Sequence, residues 1–155
     1  MNYQSFTFYK LEKLIDNDLE LILVKSIFPQ DNEIAYIPVY KFEMSIANTE
    51  EKIGRIDFRV GNTENLIMYA GHFGYDVAEK YRGKRYAARS CQLLFPLARK
   101  HQINPLWITC NPENTASRRT CEIAGGKLIE IVDLPRNNDQ YQKGDRQKCR
   151  YRFDL

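Results

Sequence analysis

A turn rich in basic residues and glycine is the segment of this sequence best suited to bind an anion. It holds Arg82, Gly83, Lys84 and Arg85. An aromatic run of strand character precedes the turn and ends at Val77, and apolar residues at helical spacing follow it. Backbone N–H groups at the positive end of such a helix form a phosphate site. The alternative is an ordinary strand-to-helix turn with solvated cations.

The residues of this turn are spaced as in a known phosphate loop. The segment Arg82-Gly-Lys-Arg-Tyr-Ala87 resembles the pyrophosphate loop of the GCN5-related N-acetyltransferases, the GNAT family. That loop reads Gln or Arg, two residues, Gly, one residue, then Gly or Ala. Arg82 and Ala87 match, whereas Arg85 stands where the central Gly is usual. Because the backbone binds the phosphate, we expect Arg85 to be tolerated there, provided that its backbone angles stay ordinary.

A second segment, thirty residues further along, is also similar to that family. The family pattern has Asn, then Ala or Ser three residues on, often Tyr at seven, Gly at eleven and usually Phe at twelve. Asn114, Ser117 and Gly125 match it, while Cys121 replaces the Tyr and Gly126 replaces the Phe. Both segments occur in the family's order. The resemblance covers the second half of the chain well and the first half loosely.

The resemblance implies acetyl-CoA, or another acyl-CoA, as co-substrate. Its pyrophosphate would lie on the backbone N–H groups of residues 83–88, with its pantetheine arm along residues 75–77. Asn114 would hold this arm through its amide, and it also fits the compatible role of a helix cap. The implied cofactor-binding residues are Tyr75, Asp76, Val77, Arg82, Gly83, Lys84, Arg85, Tyr86, Ala87, Ala88, Asn114 and Ser117.

Acyl transfer from a thioester needs a proton donor for the departing thiolate. A tyrosine commonly supplies this proton in the family, and Cys121 occupies the matching position here. The alternative is that Cys121 is a small buried residue of the helix. Tyr75 and Tyr86 are nearby candidates in the sequence, but the sequence does not fix their direction.

The proton acceptor for the amine has three candidates. His72 lies near the place where the family often has a carboxylate, and imidazole titrates near neutrality. Glu43 and Asp57, on two predicted strands, could reach the same cleft directly or through water. Each of the three has the alternative of an outward, solvated side chain. Some acetyltransferases of this type need no dedicated base.

Hydrophobic periodicity predicts the elements that position these residues. We expect the following: strands at 19–27, 36–46, 53–60, 66 or 69–77, 106–110, 127–132 and 147–153; helices at 85–101 and 114–124. They predict an α/β fold: a single-domain mixed, mostly antiparallel sheet flanked by helices. In the GNAT fold that this resembles, two helices follow the first strand, and here they are expected to be reduced or missing.

Length and composition indicate one globular domain over residues 1–155. The chain is 43% hydrophobic and 28% charged, which excludes a disordered protein. It has no apolar run near the ~20 residues that span a bilayer and no signal peptide pattern, so we expect a cytoplasmic protein. Four cysteines without CxxC pairing predict reduced thiols and no metal site.

Charge is distributed unevenly along the chain. Residues 1–77 carry 12 acidic against 7 basic residues, a balance of −5, and residues 78–155 carry 8 against 16, a balance of +8. Nucleic-acid binding is one interpretation of the basic half, although its charges are dispersed and form no dense arm. A second interpretation is that the basic half meets an anionic cofactor while the acidic half meets a cationic substrate. The third is solvated surface, which charge alone does not exclude.

The expected activity is acetyl transfer to a primary amine, on a small molecule or a peptide, by a monomer or homodimer. The alternatives are a non-catalytic CoA-binding regulatory module and a small RNA-binding α/β protein.

Overall fold

The computed structural model describes residues 6–31 and 37–155, whose strands form two antiparallel sheets. The first sheet has five strands in chain order. They are β1 Leu14–Asp16, β2 Leu19–Ile27, β3 Val39–Ile46, β4 Lys52–Arg59 and β5 Phe73–Val77. The second sheet has the order β6-β8-β7. Its strands are β6 Leu106–Cys110, β7 Lys127–Asp133 and β8 Gln147–Phe153.

Three α-helices accompany the strands within the described ranges. They are α1 Tyr86–Lys100, α2 Thr115–Ile123 and the single turn α3 Asp139–Gln142. Alternation along the central strands places Phe42 and Met44 of β3, and Ile56 and Phe58 of β4, on the core side, where each is at most 2% exposed. The apolar face of α1, centred on the fully buried Leu94, packs into the same core.

The start of α1 is fastened to the turn between β1 and β2. The guanidinium of Arg89 donates to the carboxylate of Asp16 at 2.7 Å and to that of Asp18 at 2.8 Å. The hydroxyl of Tyr86 also donates to Asp18. These hydrogen bonds, first that from Tyr86 and then that from Arg89, lower the pKa of Asp18. The N-terminal hairpin therefore fixes the first turn of the helix.

The two sheets meet at His72. Its backbone N–H donates to the carbonyl of Trp107 at 2.7 Å, and its Nδ1 accepts the N–H of Trp107 at 2.9 Å. Its Nε2 lies 2.9 Å from the carbonyl of Gly61, to which it donates, because Nδ1 is used as an acceptor. Beyond this joint β5 and β6 belong to separate sheets.

The predicted fold class is confirmed, with two local corrections. The expected strand start at 66 or 69 is wrong: Leu66–Ala70 is one π-helical turn, and Gly71 ends it at φ 77°. Arg59 stabilises this turn by donating to the carbonyls of Ala70 and Gly71, both at 3.0 Å. The helical turn α3 lies in a stretch that the sequence predicts as a polar loop, whereas β1 lies within residues 1–19, where the sequence allows a short strand or a turn of helix.

The connection from β2 to β3 is short, as expected for reduced N-terminal helices. Its described residues hold one turn of 3-10 helix, Pro29–Asp31. The expected strand start at residue 36 lies outside the described residues. Among the helices in the described ranges, none has the length and apolarity that crossing a membrane requires.

Candidate active site

A cleft of about 560 Å³ opens between β5, the basic turn and α2. All of the expected cofactor-binding residues line it except Lys84 and Ala88. The structure thus brings together two segments that are about thirty residues apart in the sequence. It also adds residues that the sequence reasoning missed. These are Tyr81, Ala116, Arg119, Thr120 and Ile123.

Most of the missed residues share one face of α2. Ala116, Arg119, Thr120 and Ile123 follow the i, i+3, i+4, i+7 spacing that places side chains on one side of a helix. Applying this helical spacing from Ala116, the neighbour of the expected binding residue Ser117, would have predicted them. Arg119 adds a further cation to a cleft that already has Arg82 and Arg85.

The basic turn presents backbone donors at the start of α1. The Nε of Arg82 donates to the carbonyl of Val77 at 3.0 Å, and Gly83 has φ 85°, which glycine adopts readily. The first backbone bond of the helix runs from the N–H of Arg89 to the carbonyl of Arg85. Within the described ranges, the N–H groups of residues 83–88 have no protein acceptor. They are therefore available to an anion.

Arg85 is the N-terminal cap of α1 and adopts the left-handed conformation, with φ 62° and ψ 22°. The condition that its backbone angles stay ordinary is therefore not met. This conformation explains why the related loops carry glycine here, since a side chain makes it costly by about 1 kcal/mol. Arg85 keeps the glycine geometry and adds a cationic side chain to the cleft.

Replacing Arg85 with glycine should separate these two effects. Arg85→Gly is expected to raise the free energy of unfolding by about 1 kcal/mol, because the strain is relieved. It should also weaken CoA binding several-fold, because a cation beside the phosphates is lost. Chemical denaturation and calorimetry measure the two quantities. Lys84→Gln, which removes the same charge outside the cleft lining, is the matched control. Equal loss of affinity in both variants would contradict a local role.

A hydroxyl pair lies on the cleft wall. The Tyr75 hydroxyl is 2.8 Å from the Oγ of Ser117 and 3.7 Å from the Sγ of Cys121. Burial raises the pKa of Tyr75, so the phenol stays protonated. The pKa of Cys121 is raised mainly by its side-chain hydrogen bond with Cys110 and, second, by burial. Cys121 is completely buried and does not line the cleft, whereas Tyr75 and Ser117 do.

Asn114 is the N-terminal cap of α2. Its Oδ1 accepts the N–H of Ser117 at 3.1 Å, as in a side-chain cap. The side-chain amide nitrogen is not needed for capping, and Asn114 lines the cleft. The cap and the cofactor contact are thus geometrically compatible.

The three candidate bases lie away from the cleft lining. His72 is 2% exposed with both ring nitrogens bonded to backbone, and burial lowers its pKa to about 4. Asp57 is 7% exposed and pairs with Lys41 and Arg55 at 3.4 and 3.3 Å. Glu43 lies 3.7 Å from the Nζ of Lys52. His72 and Asp57 are thus buried and engaged in short contacts, whereas Glu43 makes only a long ion pair with an exposed lysine.

Comparison with known proteins identifies the family. Residues 15–127 match the family model described as an acetyltransferase (GNAT) domain, which covers well over half of the chain. The chain belongs to the GNAT acetyltransferase family. The predicted membership is thereby confirmed, and acetyl-CoA is the co-substrate of that family. No curated protein sequence matched the chain.

Solved structures show the same GNAT fold. A putative ribosomal-protein-serine acetyltransferase from Vibrio cholerae is 14% identical; the match covers 93% of this chain and 98% of that one, with a TM-score of 0.67. A GNAT acetyltransferase from Bacillus anthracis is 21% identical, with coverages of 74% and 65% and a TM-score of 0.57. The Microcin C7 self immunity acetyltransferase MccE, in complex with acetyl-CoA and AMP, is 16% identical, with coverages of 76% and 61% and a TM-score of 0.57. The chain thus spans about two thirds of the last two proteins.

Proposed function

We propose that this protein is an N-acetyltransferase that transfers the acetyl group of acetyl-CoA to a primary amine by direct attack on the thioester. One observation carries the proposal: the unpaired N–H groups at the start of α1 open into the same cleft as Asn114, Ser117 and Tyr75. The first group suits the anionic end of the cofactor, and the others suit its reactive end. Family membership and the complex of MccE with acetyl-CoA support this cofactor.

The proposed cofactor position follows the two walls of the cleft. The pyrophosphate lies on the N–H groups of residues 83–88, where Arg82 and Arg85 add charge-assisted contacts. The pantetheine arm extends along residues 75–77 of β5. The Asn114 amide, on the opposite wall, holds the arm through its nitrogen. In this arrangement the thioester reaches the hydroxyl pair of Tyr75 and Ser117.

We propose Tyr75 as the proton donor to the departing thiolate. The amine nitrogen attacks the thioester carbonyl carbon, the C–S bond breaks, and the sulfur takes the Tyr75 proton. Ser117, 2.8 Å away, orients this hydroxyl. Cys121 packs against this hydroxyl from the protein interior. Its thiol lies 3.7 Å from the Tyr75 hydroxyl and is small enough to leave room for it. Water then restores the Tyr75 proton.

The amine is proposed to react as the free base, with its proton released to water. The contacts of His72, Glu43 and Asp57 engage them elsewhere, so none is assigned as the base. The rise of kcat/KM with pH should therefore follow the pKa of each amine tested. The acceptor is proposed to be an amine on a small molecule or a peptide. The Vibrio cholerae relative, by its name, acts on a ribosomal protein.

Transfer from acetyl-CoA to a panel of small amines and peptide N-termini tests the proposal. Release of CoA thiol that depends on the amine, with acetylated product detected by mass spectrometry, is the expected result. A protein that binds CoA by calorimetry and acetylates no amine of a broad panel would instead be a regulatory CoA-binding module.

Substitution of Asn114 tests the cofactor contact separately from the cap. Asn114→Ala should raise the KM for acetyl-CoA and reduce the free energy of unfolding by about 1 kcal/mol, because both roles are lost. Asn114→Asp is the matched variant, since aspartate caps helices well but lacks the amide donor. It should keep the stability and still raise KM. A wild-type KM in Asn114→Asp would leave only the capping role.

A further inference from the structure

Three buried cysteines from three different elements meet behind the wall of the cleft. Cys110 ends β6, Cys149 lies on β8 and Cys121 lies on α2, and each is at most 5% exposed. The Cys110 thiol makes side-chain hydrogen bonds with both of the others, and all of them are free thiols. Within the described ranges, no group of cysteine, histidine and acidic side chains is placed to hold a metal ion. The cluster is therefore a set of thiols that can react with one another.

Cys110 is the nucleophile of this cluster. The hydrogen bond with Cys121 does most to lower the pKa of the Cys110 thiol; burial opposes this, and the hydrogen bond with Ser117 lowers the pKa further. Burial raises the pKa of Cys149, so that thiol stays protonated. Since the thiolate is the form that reacts with oxidants, oxidation of the cluster begins at Cys110.

Strand register decides which neighbour Cys110 can bond covalently. Cys149 lies directly opposite Cys110 on β8. The N–H and the carbonyl of Trp107 both bond to His72, away from β8, so the same groups of Cys110, three residues further on, point toward β8. Cys110 and Cys149 are thus a hydrogen-bonded pair. The Cβ atoms of such a pair lie about 5.5 Å apart, beyond the roughly 3.8 Å of a disulfide.

Cys121 is the neighbour that can approach Cys110. It lies on α2, which packs through side chains and can shift slightly, whereas strands joined by backbone hydrogen bonds keep their spacing. The pKa of Cys121 is raised first by its hydrogen bond with Cys110, because the first thiolate of a coupled pair disfavours the second. Oxidation of Cys110 removes that cause. The Cys121 thiol is then the better placed of the two to react.

We propose that Cys110 and Cys121 form a disulfide when the protein meets hydrogen peroxide. The Cys110 thiolate attacks one peroxide oxygen, the O–O bond breaks, and the departing hydroxide takes up the proton that the thiol had lost. The Cys121 sulfur then attacks the sulfur of the Cys110 sulfenic acid, and a second water leaves. Two thiols are oxidised and one peroxide is reduced to two waters. Ser117, which contacts Cys110 and lines the cleft, marks the route by which the oxidant enters.

The disulfide acts on the proposed proton donor. The Cys121 Sγ lies 3.7 Å from the Tyr75 hydroxyl, and the Ser117 Oγ lies 2.8 Å from it. An S–S bond draws Cys121 toward Cys110 and takes the Cys110 thiol from its hydrogen bond with Ser117. Because Tyr75 and Ser117 each lose a neighbour, acetyl transfer should fall. This effect rests on the proposed function, whereas the disulfide itself does not.

Peroxide treatment followed by disulfide mapping tests the proposal. The full chain is treated with hydrogen peroxide, the excess is removed with catalase, and the remaining thiols are alkylated in denaturant. Mass spectrometry should show a disulfide between Cys110 and Cys121, with Cys91 and Cys149 alkylated. Acetyl transfer should fall by about tenfold or more, because the acid is disturbed, and should return on reduction with dithiothreitol.

Serine variants of the single cysteines separate the partners, each compared with its own reduced state. Cys110→Ser should form no disulfide and should keep its activity after peroxide. Cys121→Ser should stop at the sulfenic acid of Cys110, which dimedone labels. Cys149→Ser is the matched control, since it removes another buried thiol that contacts Cys110, and it should form the disulfide as the wild type does.

Several results would overturn the proposal. A peroxide-treated wild type in which all cysteines are alkylated would do so, as would a disulfide between Cys110 and Cys149. Equal inactivation of Cys110→Ser, or a mapped disulfide with unchanged transfer, would refute the effect on catalysis. If the protein acetylates no amine, the disulfide map still decides whether the bond forms, so failure of this proposal is distinguishable from failure of the proposed function.

Discussion

Tyr75→Phe is expected to lower kcat by about 10²-fold, because it removes only the hydroxyl proposed to protonate the departing thiolate. The aromatic ring and its packing remain, so the KM for acetyl-CoA and the stability should change little. Steady-state kinetics with acetyl-CoA measure the effect. With acetyl thioesters of more acidic thiols the deficit should shrink, because a better leaving group needs less help from an acid.

Cys121 and Ser117 provide the controls for this prediction. Cys121→Ala should leave kcat within a few-fold of the wild type and reduce stability, since the thiol is buried. Ser117→Ala should lower kcat less than Tyr75→Phe, because the phenol keeps its proton but loses the partner 2.8 Å away. A large kcat loss in Cys121→Ala with a normal rate in Tyr75→Phe would assign the thiol as donor.

The second large predicted effect is a loss of folding stability as the pH falls, and it arises from His72. Burial lowers its pKa from 6.5 to about 4 in the folded protein. Between these values the unfolded chain binds the additional proton, so stability is complete above the unfolded-state pKa and is lost as the pH falls toward 4. From about pH 7.5 to about pH 5, His72 alone should cost about 2 kcal/mol of unfolding free energy.

Denaturant unfolding across this pH range measures the loss. His72→Asn keeps an acceptor near the Nδ1 position and cannot titrate, so its stability should be lower at neutral pH and should fall by about 2 kcal/mol less than that of the wild type over the same pH range. The matched variant is His101→Gln, which removes the other histidine. The pKa of His101 is also lowered to about 4 by burial, so this variant measures the contribution of the second histidine separately. An unchanged pH slope in His72→Asn would refute the assignment.

The parts of the site that depend on local backbone could be predicted from the sequence. The basic turn and the Asn114 cap are each encoded within a few consecutive residues, because a strand end, a glycine and a helix start are properties of short segments. Their meeting in one cleft follows from the order of the two motifs in the resembled family. The central strands were predicted for the same reason, since their alternation is local.

The parts that depend on tertiary contacts could not be predicted. Whether His72 faces solvent or joins two sheets is decided by Gly61 and Trp107, which are distant in sequence. The burial of Asp57 and the direction of the Tyr75 ring have the same origin. The turn at 66–70 is stabilised by the guanidinium of Arg59, and no local sequence pattern predicts such a contact.

The left-handed backbone of Arg85 was missed for a different reason. The sequence showed that an arginine replaced a glycine, but it gave no sign of whether the loop had changed shape. The structure shows that the shape is kept and the residue is strained. Where another residue replaces a glycine of the family pattern, the first hypothesis should thus be a strained backbone in the same loop conformation, and not a new loop conformation.

The fastening of Arg89 and Tyr86 to Asp16 and Asp18 has a consequence for shortened versions of the protein. A fragment that begins after the first hairpin turn would retain both family motifs and every residue of the cleft lining. It would nevertheless leave Arg89 without its two carboxylates, so the first turn of α1 would fray. Such a fragment should bind CoA poorly, and motif boundaries are therefore a poor guide to the smallest working domain.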